Sequence, residues 1–311
     1  MNNLICIAGP TASGKTALAV ALAQELDGEV VSCDSMQIYK KMDIGTAKPT
    51  AEEMAGIPHH MLSVAEPEED FSVSRYCKMA TPIVEDILSR GKTAIIAGGT
   101  GLYMDALIRG NDFAPYPSTG RRQELEQLAR EQGIEAVLCQ LRQVDPASAQ
   151  RLHPSDQKRI IRAMEVYLET GQTITEHNEK TQTIPPKFHP VWFALDDEDR
   201  QTLYDRIDRR VLTMLEQGLL PEIQGLLDSG VPEKATSMQA IGYKEFVDAL
   251  QGRCTIEEAT AQVQQASRRY AKRQLTWFRR NPAIHWLTRN PGESTGEILC
   301  RARQYLRDSD N

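Results

Sequence analysis

Runs of apolar residues alternate with amphipathic stretches along the first hundred positions of the chain. Three short runs combine β-branched and other apolar residues with few polar ones, which predicts buried strands. These runs occupy residues 4–8, 29–33 and 93–97. Between them, residues 17–26 and 72–90 have the spacing of helices, and Ser72 is placed as an N-cap. Strands that alternate with helices predict an α/β fold with a parallel sheet.

The middle of the chain has a helical pattern instead. A Pro/Gly/Ser-rich stretch at 112–120 predicts a linker, and residues 121–170 predict helices that break at Gly133 and around His153-Pro154. A proline-rich stretch follows, then a strand-like run at 191–195 that we expect to return to the sheet. The predicted domains are a core, 1–116 and 188–311, whose last part from Asp199 is mostly helical, and a helical insertion, 117–187.

Composition and charge limit the classes of protein that this chain can belong to. It has 311 residues, 41% of them hydrophobic and 25% charged, with a net charge of −7. No apolar stretch approaches the roughly 18–20 residues of a membrane span, and Met-Asn-Asn at the N-terminus is unlike a signal peptide. We therefore expect a globular, cytoplasmic protein with no membrane segment. An acidic surface argues against general nucleic-acid binding but allows one basic face.

The cysteines and histidines do not predict a metal centre. Six cysteines lie far apart without a C-x-x-C pair, which predicts free thiols. The adjacent His59 and His60 would point to opposite faces of a strand, so they are poorly placed to chelate together.

Residues 9–16 match the P-loop pattern G-x-x-x-x-G-K-[ST] between a strand and a helix. Backbone N–H groups of such a loop surround phosphate oxygens, and the helix N-terminus adds a partial positive charge. Lys15 would neutralise the terminal phosphates, and the Thr16 hydroxyl would hold Mg²⁺. The motif predicts a P-loop NTPase-like core that binds a di- or triphosphate, ATP included, without specifying the reaction. The predicted diphosphate-binding residues are Gly9, Pro10, Thr11, Ala12, Ser13, Gly14, Lys15 and Thr16.

Two more strand ends carry candidate chemistry. Asp34 follows the second strand, at the sheet edge where ligands bind in doubly wound folds, and is a candidate Mg²⁺ ligand, general base or helix cap. The amide of Gln37 lies nearby in sequence and suits an adenine edge. Thr100 follows the third strand within Gly98–Gly101 and offers a hydroxyl at the same edge. No Asp ends this strand, which lowers the expectation of a simple ATPase.

A basic stretch near the C-terminus predicts a nucleic-acid contact. Residues 268–280 hold six cations and no acid. Cations interleaved with aromatic residues suit phosphate neutralisation and base stacking, although a solvated basic face over core aromatics remains an alternative. On a helix, three arginines would share one face, beside a stripe of three other side chains: Arg269, Arg273 and Arg280, then Tyr270, Gln274 and Trp277.

Taken in their order along the chain, the motifs resemble those of the bacterial tRNA dimethylallyltransferases. The matching segments are the P-loop 9–16, Asp34-Ser35-x-Gln37, and residues 98–103, 159–166, 239–245 and 272–279. The chain ends without the cysteine–histidine spacing of the zinc finger in eukaryotic relatives, so the resemblance is to the bacterial form.

The resemblance implies transfer of a dimethylallyl group from dimethylallyl diphosphate to N6 of the adenosine 3′-adjacent to the anticodon, in tRNAs that read codons starting with U. It implies that Asp34 takes the N6 proton and that Lys15, Thr100, Arg210 and Mg²⁺ on Thr16 meet the charge of the leaving group. It also implies a monomer, whose insertion clamps the anticodon stem. The implied tRNA-binding residues are Asp34, Ser35, Met36, Gln37, Thr100, Arg122, Lys158, Arg159, Ile160, Ile161, Arg162, Gln239, Ala240, Ile241, Gly242, Tyr243, Lys244, Lys272, Arg273 and Arg279.

Three rival functions remain open at this point. A P-loop kinase of a small metabolite or nucleoside accounts for residues 1–170 but leaves 239–245 and 268–280 without a role. A nucleotide-gated RNA-binding switch predicts affinity for ATP or GTP. A dimethylallyltransferase acting on free AMP has no need of the basic C-terminal stretch.

Overall fold

The structure, a computed structural model, describes residues 3–110 and 119–309, so most of the predicted linker lies outside the described residues. Its strands are β1 (Leu4–Ala8), β2 (Gly28–Ser32), β3 (His59–His60), β4 (Thr93–Ala97), β5 (Val191–Asp197) and β6 (Ile284–Arg289). Its α-helices are α1 (Lys15–Glu25), α2 (Ala51–Met54), α3 (Val73–Ser89), α4 (Gly101–Arg109), α5 (Arg121–Gln132), α6 (Ile134–Val144), α7 (Pro146–Arg151), α8 (Gln157–Thr170), α9 (Ile174–Thr183), α10 (Arg200–Glu216), α11 (Leu219–Asp228), α12 (Tyr243–Leu250), α13 (Ile256–Phe278) and α14 (Thr295–Ser309). A short 3₁₀ turn covers Ser237–Gln239.

The six strands form one parallel sheet in the order β3-β2-β4-β1-β5-β6. This confirms the predicted α/β class and the return of the chain to the sheet at β5, which pairs with β1. Strands β3 and β6 were not predicted. β3 is only two residues long, and β6 mixes apolar, aromatic and charged residues, so neither has the continuous apolar run that marks the other strands.

The core on one face of the sheet lies under α1 and α14. Ile5 and Phe193 from the strands pack with Leu18 and Leu22 of α1 and with Ile298 of α14. All five side chains are buried. This packing places the loop between β1 and α1 at the carboxyl edge of the sheet, where we expect ligands to bind.

The chain divides into two compact units. One comprises Met1–Gly110 and Lys187–Asn311 and contains the sheet, and the other is Asn111–Pro186. The second unit holds α5 to α9 around its own apolar core, in which Val137, Leu138 and Leu141 of α6 pack with Ile160 of α8. The helix break at Gly133 is observed, because Gly133 separates α5 from α6.

Within the described ranges, no helix has the combination of length and apolar character that crossing a bilayer requires.

Candidate active site

The loop between β1 and α1 turns sharply into the N-terminus of α1. Gly14 has φ +91°, a left-handed conformation that an L side chain rarely adopts, and it leads directly into the first turn of α1. Lys15 and Thr16 are the first two residues of that helix, so their side chains lie beside its N-terminus. A helix N-terminus attracts anions because its first N–H groups lack intrahelical partners.

Groups from distant parts of the chain hold the outer side of this loop. The Nε atom of Arg206 donates to the carbonyl of Ala12 at 3.0 Å, and the Nη2 atom of Arg289 donates to the carbonyl of Ser13 at 3.3 Å. Arg206 also pairs with Asp197. Because arginines from α10 and β6 occupy these carbonyls, the loop is held in place before any ligand binds.

Gln274 connects the P-loop to the end of β4. Its Oε1 accepts the N–H of Thr11 at 3.0 Å, and its Nε2 donates to the carbonyl of Gly99 at 2.9 Å. The side chain is only 5% exposed. Both ends of its amide are therefore used to set the distance between the P-loop and the loop that follows β4. The sequence placed Gln274 in a stripe beside the basic face but gave no sign of this role.

Lys15 and Thr16 are the P-loop residues whose side chains were predicted to meet phosphate and Mg²⁺. The pKa of Lys15 is lowered to about 7, mainly by burial and then by nearby Arg210, while Asp34 opposes the shift. Its Nζ donates to the carbonyl of Pro10 at 2.6 Å. Among the residues that the structure describes, the hydroxyl of Thr16 forms no hydrogen bond. An anion here would draw a proton to Lys15, since opposite charge favours the charged form.

The ends of β2 and β4 are bonded together, which brings Asp34 beside Thr100. The N–H of Thr100 donates to the carbonyl of Cys33 at 3.2 Å, and the N–H of Ser35 donates to Oγ1 of Thr100 at 3.1 Å. Tyr270 from α13 completes the group. Its pKa is raised to about 12, mainly by burial and then by Asp34, while a hydrogen bond with Thr100 opposes the shift.

Asp34 stabilises a turn through one oxygen and leaves the other available. Its Oδ1 accepts the N–H of Met36 at 2.8 Å and that of Gln37 at 3.4 Å. No helix begins after Asp34, so the helix-cap interpretation is wrong and the carboxylate caps a turn instead. Within the described part of the chain Oδ2 takes no hydrogen bond, which leaves it able to accept a proton.

A cavity of about 310 Å³ lies beside these groups and is lined by some of them. Its polar residues include Thr11 of the P-loop, Asp34, Arg210 and Tyr270, and an apolar wall faces the same space. The apolar residues are Ile207, Val211 and Met214 of α10, Leu219 of α11 and Val263 of α13. Gly45–Thr46, Gln239–Gly242, Ser35–Met36, Ser267 and Arg273 complete the lining. From Val263 to Arg273 the cavity follows α13 for about 15 Å, at 1.5 Å per residue.

The cavity is electropositive apart from Asp34. Arg210 forms no ion pair with the described residues, and burial lowers its pKa while Asp34 opposes that shift. The guanidinium of Arg273 lies 5.5 Å from the ring centroid of Tyr270 and likewise has no acidic partner in that part of the chain. Unpaired cations beside a carboxylate with a free oxygen can bind an anion and accept a proton in one space.

The side chains of several residues predicted to contact tRNA are buried or bonded within the protein. Ile160 and Ile161 are 0% and 7% exposed in the core of the helical unit, because the apolar face of α8 points inward. Tyr243 is fully buried, and its hydroxyl donates to Glu222 at 2.6 Å. Arg280 lies beyond the end of α13 and therefore does not extend the face that carries Arg269 and Arg273.

The amide of Gln37 is also used within the protein. Its Nε2 donates to the carbonyls of Thr46 at 3.3 Å and Ala47 at 3.0 Å, and its Oε1 accepts from the hydroxyl of Ser32 at 2.9 Å. In this arrangement the side chain has no free donor for an adenine edge. It connects the turn after Asp34 to the segment that lines the cavity.

The remaining predicted cations lie on exposed surfaces. In the core unit, Lys272 and Arg273 are exposed on α13, whereas Arg279 pairs with Asp196 at 2.9 Å. Gln239 and Lys244 are exposed as well. In the helical unit, Lys158 and Arg159 of α8 are exposed, while Arg122 pairs with Glu126 and Arg162 with Glu165.

Comparison with known proteins gives consistent matches over the whole chain. The sequence profile of a family described as IPP transferase matches residues 37–281. A protein of Acetivibrio thermocellus named tRNA dimethylallyltransferase is 42% identical over 307 residues, which is 98% of each chain. A protein of Caldanaerobacter subterraneus subsp. tengcongensis with the same name is 46% identical over 305 residues, 97% of each chain.

Solved structures agree with the sequence matches. A tRNA isopentenylpyrophosphate transferase from Bacillus halodurans is 40% identical with a TM-score of 0.74, and the alignment covers 99% of this chain and 96% of that one. A eukaryotic dimethylallyltransferase acting on tRNA is 29% identical with a TM-score of 0.82, over 99% of this chain and 80% of that one.

Proposed function

This chain belongs to the IPP transferase family, and on that premise we propose that it transfers a dimethylallyl group from dimethylallyl diphosphate to tRNA. The acceptor is N6 of the adenosine 3′-adjacent to the anticodon, in tRNAs that read codons starting with U. The products are N6-isopentenyladenosine and diphosphate. The observation that carries the proposal is the cavity itself, in which Thr11 of the P-loop, an aspartate with a free oxygen and an apolar wall share one space.

The P-loop holds the diphosphate of the donor as the leaving group. Its N–H groups, Lys15 and Arg210 meet the negative charge that grows when the bond between C1 and oxygen breaks. Such preorganised charge is usually the largest catalytic contribution. Arg210 suits the role because it forms no ion pair with the described residues. The apolar wall of α10, α11 and α13 accommodates the five-carbon chain.

Asp34 acts as the general base. The N6 lone pair attacks C1, the C1–O bond electrons leave with diphosphate, and the N6 proton passes to Oδ2 of Asp34. Because the N6 lone pair is delocalised into the adenine ring, removing this proton as the bond forms raises nucleophilicity. General-base catalysis of this kind contributes about 10²–10⁴-fold. Thr100 positions the Asp34 turn through its hydrogen bond with Ser35 and lines up Tyr270 beside it.

Mg²⁺ fits this site as a companion of the diphosphate. The described residues contain no group of three or more His, Cys, Asp or Glu able to hold a metal alone. Mg²⁺ commonly keeps several waters and binds through substrate phosphates with few protein ligands, and the unbonded hydroxyl of Thr16 supplies one. When bound, the ion would neutralise charge on the departing diphosphate.

The exposed cations of α13 and of the helical unit bind the tRNA backbone. Lys272 and Arg273 would engage phosphates near the cavity, and Lys158 and Arg159 would hold the anticodon stem. The target adenosine must leave its stack, which is cheapest in a single-stranded loop. We place this reaction in the cytoplasm, with the enzyme acting as a monomer.

Following two labels tests the proposal against its rivals. The purified protein is incubated with dimethylallyl diphosphate labelled in its carbon chain, γ-labelled ATP, bulk tRNA and AMP. We expect carbon label in tRNA only, with diphosphate released. Phosphate label in any acceptor would establish a kinase instead, and carbon label in AMP would establish the mononucleotide enzyme. ATP binding without transfer of either label would favour the nucleotide-gated switch.

A further inference from the structure

Glu222 lies outside the cavity but is bonded to segments on two of its sides. Its carboxylate accepts three consecutive backbone N–H groups, from Asp43 and Ile44 at 2.8 Å each and from Gly45 at 3.1 Å. Its Oε1 also accepts the hydroxyl of Tyr243 at 2.6 Å. Four donors therefore converge on one side chain of α11, and a carboxylate is the only side chain that can accept all of them.

The two segments that meet at Glu222 are both part of the cavity lining. Gly45–Thr46 lines one side, and Gln239–Gly242, which runs directly into Tyr243, lines another. A Cβ atom at Gly45 would lie 2.5 Å from the ring of Tyr243, so the two segments are in close contact as well as bonded through the carboxylate. Burial and the adjacent carboxylate raise the pKa of Tyr243 well above its usual value, which keeps its hydroxyl protonated as a donor.

The same contacts continue to the turn that holds Asp34. Thr46 and Ala47 immediately follow the N–H groups bound by Glu222, and their carbonyls accept both N–H groups of the Gln37 amide. The backbone N–H of Gln37 in turn donates to Oδ1 of Asp34. A shift of residues 43–46 would therefore move both the cavity lining and the support of Asp34.

We propose that Glu222 is a positioning residue that sets the width of the cavity and the orientation of Asp34 toward the acceptor base. The proposal rests on the function proposed above. Glu222 does not touch the substrates, and it acts through Gly45–Thr46, Tyr243 and Gln37. Among the described residues, the P-loop does not contact Glu222. Loss of the Glu222 hydrogen bonds should therefore lower kcat more than it raises the KM for the donor.

The test compares Glu222→Gln and Tyr243→Phe with wild type. Glutamine keeps the volume but puts an NH₂ donor against backbone N–H groups, and phenylalanine keeps the ring and removes one donor. We expect Glu222→Gln to lower kcat up to about 100-fold, the effect of a displacement on the order of 1 Å, with donor KM within about threefold. Tyr243→Phe should lower kcat by about fivefold, since one hydrogen bond to a charged acceptor is lost. Glu216→Gln, an exposed position at the end of α10, is the matched control and should behave as wild type.

Each result decides for or against the positioning role of Glu222. A kcat within twofold of wild type in Glu222→Gln would overturn the proposal. If that variant does not fold, Tyr243→Phe decides, because its melting temperature should stay near that of wild type while kcat falls. Amide hydrogen exchange at residues 43–45 separates this test from the proposed function. Faster exchange in Glu222→Gln supports the positioning role of Glu222 even if wild type transfers no prenyl group. Unchanged exchange overturns that role.

Discussion

At one end of the cavity, Thr11 belongs to the P-loop, whose predicted ligand groups are eight consecutive residues, 9–16. At the other end, the lining is assembled from Gly45–Thr46, Gln239–Gly242 and the helices α10, α11 and α13. The difference follows from the ligands. A diphosphate can be bound by backbone N–H groups of one turn, whereas an apolar chain and a base need surfaces on several sides.

The two ends nevertheless share one method of support. Gln274, Arg206 and Arg289 hold the P-loop from the C-terminal half of the chain, and Glu222 holds the segment 43–45 from the same half. A local motif therefore supplies the ligand groups, and residues distant in the chain hold those groups in position. Four variants or conditions test this division of roles, in decreasing order of effect.

Removal of the base should have the largest effect. Asp34→Asn keeps the size of the side chain but cannot take the N6 proton, so single-turnover transfer should fall about 10²–10⁴-fold. Donor binding, measured by equilibrium titration, should change little because the P-loop is intact. Asp205→Asn, an exposed carboxylate on α10, is the control. A transfer rate within a few-fold of wild type would show that Asp34 is not the base.

Loss of the hydrogen bonds between Gln274 and the P-loop should have the second-largest effect. Gln274→Leu removes the acceptor of the Thr11 N–H and the donor to the Gly99 carbonyl, so both loops can shift. We expect kcat/KM for the donor to fall by about 100-fold, as for a displacement near 1 Å. Steady-state kinetics with varied donor measure this effect, and Gln265→Leu on an exposed position of the same helix should have none. An unchanged donor kcat/KM in Gln274→Leu would mean that the P-loop holds its geometry unaided.

The donor end should also respond to pH. The pKa of Lys15 is about 7 in the ligand-free site, and a bound diphosphate raises it because opposite charge favours the protonated form. Binding then takes up a proton above pH 7, so donor affinity should fall as pH rises, by about fivefold from pH 7 to pH 8. Titration calorimetry in buffers of different ionisation enthalpy measures both affinity and proton uptake. Lys15→Met should bind more weakly and lose this dependence; a Kd that stays constant from pH 7 to pH 8 in wild type contradicts the prediction.

Single surface cations should have the smallest effect. Arg273 has no acidic partner among the described residues, whereas Arg279 pairs with Asp196. Arg273→Ala should therefore weaken tRNA binding about threefold and lower the slope of log Kd against log salt by about one phosphate contact. Arg279→Ala should change both less, because its charge is partly compensated. Equal losses in the two variants would show that the ion pair opens when tRNA binds.

The sequence determined the parts of this protein that depend on neighbouring residues. The apolar runs of β1 and β4, the cap at Ser72 and the loop 9–16 follow from local preferences, and each was predicted close to its observed position. The placement of Asp34 beside Thr100 was also predictable, because the carboxyl ends of parallel strands meet at one edge.

Which side chains remain free for ligands depended on the tertiary structure alone. Gln37, Tyr243 and Ile160 belong to recognisable motifs, yet the first two are bonded within the protein and the third lies in a core. Gln274 and Glu222 support the site from positions with no local signal. Hydrogen bonds and burial depend on groups elsewhere in the fold, from 10 residues away for Gln37 to 263 for Gln274. A linear pattern records which groups a residue carries but not which partners have already satisfied them.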